Sequence, residues 1–282
     1  GGSTTATSMA VLPIAEKSQM PFISFGGAAI IVNPVRKWVF KVPHTDRMAA
    51  EKNLQDMKAR GITKLAMLCE DSGSGKAGRE QMIAAAPSYG VTIVADEIYG
   101  AKDTDTTAQL TKIRGNAEAQ ALIVWGLGQG PTIVSRNYRQ LDMKLPVYQA
   151  HGVASKEFIT LSGPAAEGMR IPGATAIVAD KLPENDRQKP VVMDLTKRFV
   201  ERYKEPVSAF SANAFDGVLI FSEAVKRAGT LDKEKLRDAI EQTKDLVGAN
   251  GVYNMSPTEH NGLSFESLKL LEVSNGDWKI IN

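Results

Sequence analysis

The sequence has 282 residues, of which 43% are hydrophobic and 23% charged, and its formal net charge is +2. This balance is typical of globular proteins, and the length suits two domains better than one. The near-neutral charge argues against a nucleic-acid-binding surface, no apolar run approaches the roughly 20 residues that span a bilayer, and no signal peptide is visible.

The first 171 residues alternate short apolar runs with longer amphipathic stretches. This alternation predicts βαβ units and a parallel sheet. The predicted strands are 21–24, 64–69, 92–98, 121–125, 147–149 and 168–171. The predicted helices between them are 47–60, 77–89, 106–116 and 130–141, with 104–106 supplying capping side chains before the third.

The second half of the sequence is predominantly helical. Apolar spacing predicts helices at 190–203, 209–228 and 235–243, the second ended by Gly229 and the third capped by Asp232. Strands are predicted at 267–273 and 278–281, and Asn275-Gly276 between them is a strong hairpin signal. Two proline-containing segments, 42–44 and 171–173, are predicted to cross between domains.

Two glycine-rich segments invite a nucleotide-binding interpretation, and both depart from the motif. Around Gly73-Ser74-Gly75-Lys76, the first glycine of a phosphate loop is replaced by Glu70 and the final hydroxyl residue by Ala77. In 126–131, the third glycine of a dinucleotide fingerprint is replaced by Pro131. We interpret this second segment as a strand-to-helix loop with exposed backbone N–H groups.

Small hydroxyl residues at the start of the sequence, Ser3, Thr4 and Thr5, precede an apolar stretch at 9–15. Such residues either cap a helix or, with the helix dipole and backbone N–H groups, bind an anion, and the residues alone leave both possibilities open. No Ser-His-Asp or Cys-His grouping stands out, the three histidines show no zinc pattern, and Cys69 lies in an apolar run. We therefore expect neither an enzyme, nor a cofactor, nor a metal site.

Seven segments follow one another in an order that matches a known family. They are 21–24, 62–71 followed by 75–78, 103–105, 121–126, 145–148, 163–168 and 214–218. In their order and spacing the sequence resembles the type I periplasmic solute-binding proteins of branched-chain amino-acid (leucine/isoleucine/valine) ABC transporters.

The resemblance implies an α/β fold of two lobes, each a mainly parallel sheet flanked by helices, with three chain crossings and a ligand in the cleft between the lobes. It assigns 1–45 and 174–262 to lobe 1 and 46–171 to lobe 2, with 263–282 returning to lobe 2. In the family, roughly two βα units and a signal peptide precede the segment that resembles 1–5. We therefore expect the N-terminal βα units of lobe 1 to be missing from this sequence.

The resemblance also implies a ligand site. Ser3, Thr4 and Thr5 match the carboxylate-binding loop, and Phe25, Gly26, Gly27 and Ala28 match the next loop of lobe 1. On lobe 2, Ser74 matches an aromatic residue that often closes over the ligand, Gly128 and Gln129 match a strand-to-helix loop, and His151 matches the acidic residue that pairs with an amino-acid ammonium group.

The departures from the family pattern predict a different ligand. His151 replaces the carboxylate that a buried ammonium group needs, and Ala28 replaces a hydroxyl residue. Ser74, with two glycines at 26 and 27, leaves room for a bulkier ligand. An aromatic or keto carboxylate fits these changes better than an α-amino acid, unless His151 lies at the edge of the cleft without touching the ligand.

The expected function is that of a periplasmic, monomeric receptor that delivers a small carboxylate to a membrane ABC permease, exported by a signal peptide that this chain does not contain. The alternatives are an amino-acid-binding protein, or a sensory or regulatory ligand-binding module on the same fold.

Overall fold

The computed structural model describes residues 1–281, which divide into two units. Unit 1 contains Gly1–Thr45 and Ala174–Leu268, and unit 2 contains Asp46–Gly173 and the residues from Lys269 onward. The second segment of unit 1 thus reaches Leu268, beyond the boundary predicted at residue 262. No helix among residues 1–281 combines the length and apolar character needed to cross a bilayer.

The helices are α1 (Thr5–Lys17), α2 (Asp46–Ala59), α3 (Gly73–Ala85), α4 (Thr107–Gly115), α5 (Gly130–Gln140), α6 (Lys156–Ser162), α7 (Lys189–Tyr203), α8 (Ala209–Ala228) and α9 (Lys233–Glu241). The strands are β1 (Phe22–Ser24), β2 (Val39–Lys41), β3 (Lys64–Glu70), β4 (Thr92–Tyr99), β5 (Ala121–Trp125), β6 (Val147–Gln149), β7 (Arg170–Gly173), β8 (Leu246–Val247), β9 (Val252–Tyr253), β10 (Lys269–Ser274) and β11 (Asp277–Ile280).

Unit 2 is built on a seven-stranded sheet in the order β11-β10-β7-β6-β5-β3-β4. Strands β3 to β7 pair in parallel, whereas β10 runs antiparallel to both β7 and β11. The central strand β5 is buried along its whole length, as expected for a continuous apolar run covered by helices on both faces. The mainly parallel α/β fold predicted from the sequence is confirmed.

Local backbone chemistry shifts two predicted elements of unit 2. Helix α3 begins at Gly73 instead of residue 77 because the side chain of Ser72 accepts a hydrogen bond from the Gly75 N–H, and a 3-10 turn follows Ala85. Strand β7 begins at Arg170 instead of residue 168 because Gly168 adopts a positive φ of 78°. Before α4, the N-cap residue Thr106 makes no side-chain capping hydrogen bond, and the Asp105 carboxylate that precedes it accepts hydrogen bonds from the N–H and hydroxyl of Thr107.

The predicted hairpin joins β10 to β11. Asn275 and Gly276 have φ values of 53° and 71°, which a two-residue turn of this kind requires at both positions. The Glu167 carboxylate accepts a hydrogen bond from the Asn275 N–H at 2.7 Å, which anchors the turn to the segment preceding β7.

Unit 1 contains the parallel pair β1–β2, the antiparallel pair β8–β9, and helices α1, α7, α8 and α9. Strands β2, β8 and β9, which have two or three residues each, were not predicted from the sequence. The core of this unit comprises Phe40, Val42, Ile220, Ala224, Leu236, Ala239, Ile240, Tyr253, Met255 and Leu263.

Helix α8 is apolar on more than one face. Ile220 and Ala224 are buried, whereas Phe210, Val218 and Phe221 are exposed in the described structure. These exposed apolar residues are distinct from Ile220 and Ala224, which lie in the core of this unit.

A buried carboxylate organises unit 1. Asp216 of α8 accepts hydrogen bonds from the N–H groups of Ala249 (2.6 Å) and Asn250 (2.8 Å) and from the Asn250 side chain (2.8 Å). The Tyr253 hydroxyl lies 2.8 Å from the same carboxylate and 3.0 Å from the Val42 carbonyl oxygen. Burial raises the pKa of Asp216, and these donors oppose that shift.

We expect Asp216→Ala to lower the free energy of unfolding by about 3–5 kcal/mol, because it leaves several buried donors without an acceptor. Denaturant titration followed by circular dichroism measures the change. Asp194→Ala, which removes an exposed carboxylate of α7, is the control and should change stability by less than about 1 kcal/mol. Equal effects of the two variants would contradict the role given to Asp216.

Candidate ligand-binding site

In unit 1, the predicted carboxylate-binding residues lie at the start of α1. Thr4 is the N-cap: its hydroxyl accepts a hydrogen bond from the Thr7 N–H, and its own N–H donates to the Thr7 hydroxyl. The Thr4 side chain is therefore a helix cap. Ser3 is exposed and Thr5 is buried.

The helix start retains donors for a ligand. The first N–H groups of an α-helix have no acceptor within the helix, and Thr7 uses its own on the Thr4 cap. This leaves the N–H groups of Thr5 and Ala6 at the positive end of the helix dipole, an arrangement that favours an anion.

A serine pair fixes the loop after β1 against this helix. The hydroxyls of Ser8 and Ser24 lie 2.7 Å apart and are buried, and Ser24 Oγ also accepts a hydrogen bond from the Gly26 N–H at 3.0 Å. A Cβ on Gly26 would lie 2.8 Å from Ile31 Cδ1 and 3.0 Å from the Thr4 carbonyl oxygen. The structure thus brings together the two loops of unit 1 that the sequence assigned to the site.

The remaining residues of this loop differ in exposure. The ring of Phe25 packs on α8 at Gly217, where an added Cβ would lie 2.4 Å from Phe25 Cε1. Ala28 is buried and Gly27 is half-buried. The predicted roles of Phe25, Gly27 and Ala28 in ligand binding stay predictions.

In unit 2, the predicted residues follow three neighbouring strands. Ser74 lies in the first turn of α3 after β3, Gly128 and Gln129 follow β5, and His151 follows β6. Because β6, β5 and β3 are adjacent and parallel, their carboxyl ends meet at one edge of the sheet. This is the edge at which open α/β sheets bind ligands.

Trp125, the last residue of β5, connects these loops. A Cβ on Gly78 of α3 would lie 2.0 Å from its indole ring, so helix and indole are in close contact. On the other side, the half-buried His151 ring stands edge-on to the indole, with 6.3 Å between ring centroids. Trp125 therefore positions both the helix that carries Ser74 and the imidazole of His151.

The 126–130 loop lies on two residues that sequence reasoning did not assign to the site. The Glu70 carboxylate accepts a hydrogen bond from the Leu127 N–H at 3.1 Å. A Cβ on Gly126 would lie 2.0 Å from the Tyr99 hydroxyl oxygen and 2.8 Å from Glu70 Oε2. Burial, and then the charge of Glu70, raise the pKa of Tyr99. The one sequence signal was an acidic residue at the end of an apolar strand.

Within residues 1–281, no group of three or more histidine, cysteine or carboxylate side chains is arranged to hold a metal ion. Burial raises the pKa of the Cys69 thiol to about 12, so this cysteine is held as the neutral thiol at neutral pH.

Comparison with known proteins assigns the family. A family model described as periplasmic binding protein matches residues 1–277. The chain belongs to the periplasmic binding protein family. Among solved structures, an extracellular ligand-binding receptor from Rhodopseudomonas palustris HaA2 is similar, with a TM-score of 0.93 and 27% identity over 99% of this chain and 80% of that one.

Two further relatives extend the comparison. A leucine-, isoleucine-, valine-, threonine- and alanine-binding protein of Pseudomonas aeruginosa is 25% identical over 151 residues, which are 54% of this chain and 38% of that protein. A branched-chain amino-acid ABC transporter protein from Thermus thermophilus with bound valine shares the fold, with a TM-score of 0.85 and 20% identity over 99% of this chain and 75% of that one. The aligned region thus spans well under half of the curated relative.

We expect Gly126→Ala to destabilise the protein by about 1–3 kcal/mol, because the added methyl group meets the Tyr99 hydroxyl in a close-packed region. Adding Tyr99→Phe removes the hydroxyl oxygen and should recover part of the loss, which a double-mutant cycle from denaturant titrations measures. Gly115→Ala, where a Cβ would have no neighbour within 4 Å, is the control. Strictly additive effects of the two substitutions would show that the contact does not position the loop.

Proposed function

We propose that this chain is the extracytoplasmic ligand-binding receptor of an ABC transporter and that its ligand is a small carboxylate. Family membership over residues 1–277 supports the receptor role, and related proteins are named as a ligand-binding receptor and as an amino-acid-binding protein. A membrane permease is then the partner, and the periplasm the place of action.

The observation that carries the carboxylate proposal is the start of α1. Helix N–H groups are held beside the Gly26 loop by the buried Ser8–Ser24 pair, so the donors are in place before a ligand arrives. Preorganised donors at a helix N-terminus favour an anion without the cost of ordering a loop.

The proposal for the rest of the ligand rests on unit 2. His151 stands at the position that matches the acidic residue which pairs with the ammonium group in amino-acid-binding proteins. Its ring lies against Trp125. An imidazole next to an indole can donate a hydrogen bond and offers no fixed negative charge. We therefore favour an aromatic or keto acid over an α-amino acid.

The alternative ligand is an α-amino acid, because the Pseudomonas relative is named for binding five of them. A small aliphatic amino acid would need a carboxylate or several carbonyl oxygens around its ammonium group. Calorimetry with both ligand classes separates these possibilities.

We expect Thr5→Val to weaken binding of the carboxylate by about 1–3 kcal/mol, since it removes a hydroxyl beside the anion and leaves a charged acceptor short of a donor. Isothermal titration calorimetry measures the dissociation constant. Thr111→Val, at an exposed position of α4, should leave it unchanged. An unaltered constant in Thr5→Val would remove this residue from the site.

We expect phenylpyruvate or benzoate to release heat on binding and leucine and valine to release none. His151→Glu should weaken the aromatic acid, because it places a second anion near the ligand, whereas His151→Gln, which keeps a donor without charge, should weaken it less. Tight binding of leucine or valine with no heat from the aromatic acids would favour the amino-acid alternative.

A further inference from the structure

The dipeptide Asn-Gly occurs three times in the sequence, at residues 250–251, 261–262 and 275–276. Asparagine is a chemically labile residue, because the backbone nitrogen of the next residue can attack its side-chain amide carbon. A glycine in the next position has no Cβ to hinder this approach. The three dipeptides are chemically identical, so the folded structure decides which of them can react.

Two of the three asparagines are buried and hydrogen-bonded in unit 1. Asn250 is 1% exposed and Asn261 is 2% exposed. The side-chain amide of Asn250 donates to the Asp216 carboxylate at 2.8 Å, and that of Asn261 donates to the Pro43 carbonyl oxygen at 2.9 Å. These amides can be attacked only after the structure around them opens, and opening of buried segments costs free energy.

Asn275, in the turn between β10 and β11, differs from both. Asn275 and Gly276 are exposed, and the side-chain amide of Asn275 forms no hydrogen bond within residues 1–281. The backbone N–H of Asn275 donates to the Glu167 carboxylate at 2.7 Å, whereas the Gly276 N–H, which carries the attacking nitrogen, lies 3.4 Å from that carboxylate. A hydrogen bond as long as the second is weak and restrains the glycine little.

The turn also lies where the sheet of unit 2 opens most easily. Strand β11 has four residues and is an edge strand, paired with β10 alone. A Cβ on Gly276 would have no neighbour within 4 Å, so nothing packs on the turn at this residue. Exposed turns and strand edges open at a low free-energy cost. The conformation needed for attack is therefore reached by local opening of the turn, without unfolding of unit 2.

We propose that Asn275 is a site of spontaneous deamidation and that this modification loosens the β10–β11 hairpin. The Gly276 backbone nitrogen forms a bond with Cγ of Asn275, the bond from Cγ to the side-chain nitrogen breaks, and ammonia leaves with the proton of the Gly276 N–H. Water then opens the cyclic succinimide at either of its carbonyl groups, which gives aspartate or isoaspartate. The proposal does not depend on the proposed function.

Both products conflict with the native turn. Each places a carboxylate close to Glu167, which already binds the backbone N–H of residue 275, and like charges at short range repel each other. Isoaspartate also adds a carbon atom to the backbone, whereas the register of a hairpin depends on the length of its turn. Strand β11, which carries the buried Trp278, should therefore separate from β10 more often.

Peptide mapping by mass spectrometry tests the site in the full chain incubated at mildly alkaline pH. We expect the amide of Asn275 to convert to the acid at least ~10-fold faster than those of Asn250 and Asn261, because only the buried residues need a larger opening. The same chain in denaturant is the control, since the three dipeptides should convert there at similar rates.

Hydrogen exchange of the 277–281 segment tests the effect on the hairpin. Exchange in the deamidated protein should be at least ~10-fold faster than before incubation. The matched control is Asn275→Gly, which cannot deamidate and keeps a residue suited to the turn. Its exchange should not change during the same incubation.

The outcomes are distinct. Faster conversion of Asn275 in the native protein, with similar rates at all three dipeptides in denaturant, supports the site. Equal native rates, or a native Asn275 that stays unmodified while the denatured chain converts, would overturn it. Unchanged exchange of the 277–281 segment after conversion, or an equal acceleration in incubated Asn275→Gly, would overturn the loosening of the hairpin.

Discussion

The buried carboxylate of Asp216 is the interaction on which unit 1 depends, because this unit is assembled from two stretches of chain separated by more than a hundred residues. Its donors come from the 249–253 segment, and Tyr253 also reaches the Val42 carbonyl oxygen. The Thr175 hydroxyl donates to the Ala249 carbonyl oxygen at 3.0 Å, and His44 and Ser267 lie 2.8 Å apart. Every segment end of unit 1 near a boundary with unit 2 is therefore hydrogen-bonded to another part of unit 1. Isolated buried charges are unstable, and this one is tolerated because four donors surround it.

Unit 2 is also assembled from two separate stretches of chain, and its sheet joins them. The last two strands, β10 and β11, return from the far end of the chain and add to β7. The Arg170 guanidinium then joins three elements, since it binds Asp56 of α2 and Glu272 of β10 from its own place on β7. The common direction of the parallel strands gathers loops with glycines and small polar residues at the carboxyl ends of the sheet.

The long elements could be predicted from the sequence, because their periodicity is strong. Strand β5 and helix α8 have the bounds that apolar spacing predicts, and the Asn275-Gly276 turn follows from its chemistry alone. Strand β2 was not predicted, since it ends in a buried lysine, Lys41, and apolar patterning does not place a lysine in a core. The contacts of Tyr99 and Glu70 with the 126–130 loop could not be predicted from the sequence either. They depend on how β4, β3 and the loop after β5 pack together. The motif order placed Ser74, Gly128, Gln129 and His151 after neighbouring strands, whereas no motif contains the distances on which ligand recognition depends.

The two predicted sets of ligand-binding residues, one in each unit, differ in the groups that they offer a ligand. At the start of α1, the donors are backbone N–H groups, and the residues that matter most, Ser8, Ser24 and Gly26, act by holding that backbone in place. Many sequences can build such an arrangement, so the proposed recognition of a carboxylate here would not distinguish the molecule that carries it. Around Trp125, the proposed ligand recognition depends on side chains. Specificity is a difference between the affinities for two ligands, and one charged group can reverse that difference. An imidazole at residue 151 lowers the free-energy cost of placing a neutral or acidic ligand group beside it. It raises the cost of placing an ammonium group there. The proposed preference for an aromatic or keto acid over an amino acid therefore rests on His151 and its contact with Trp125.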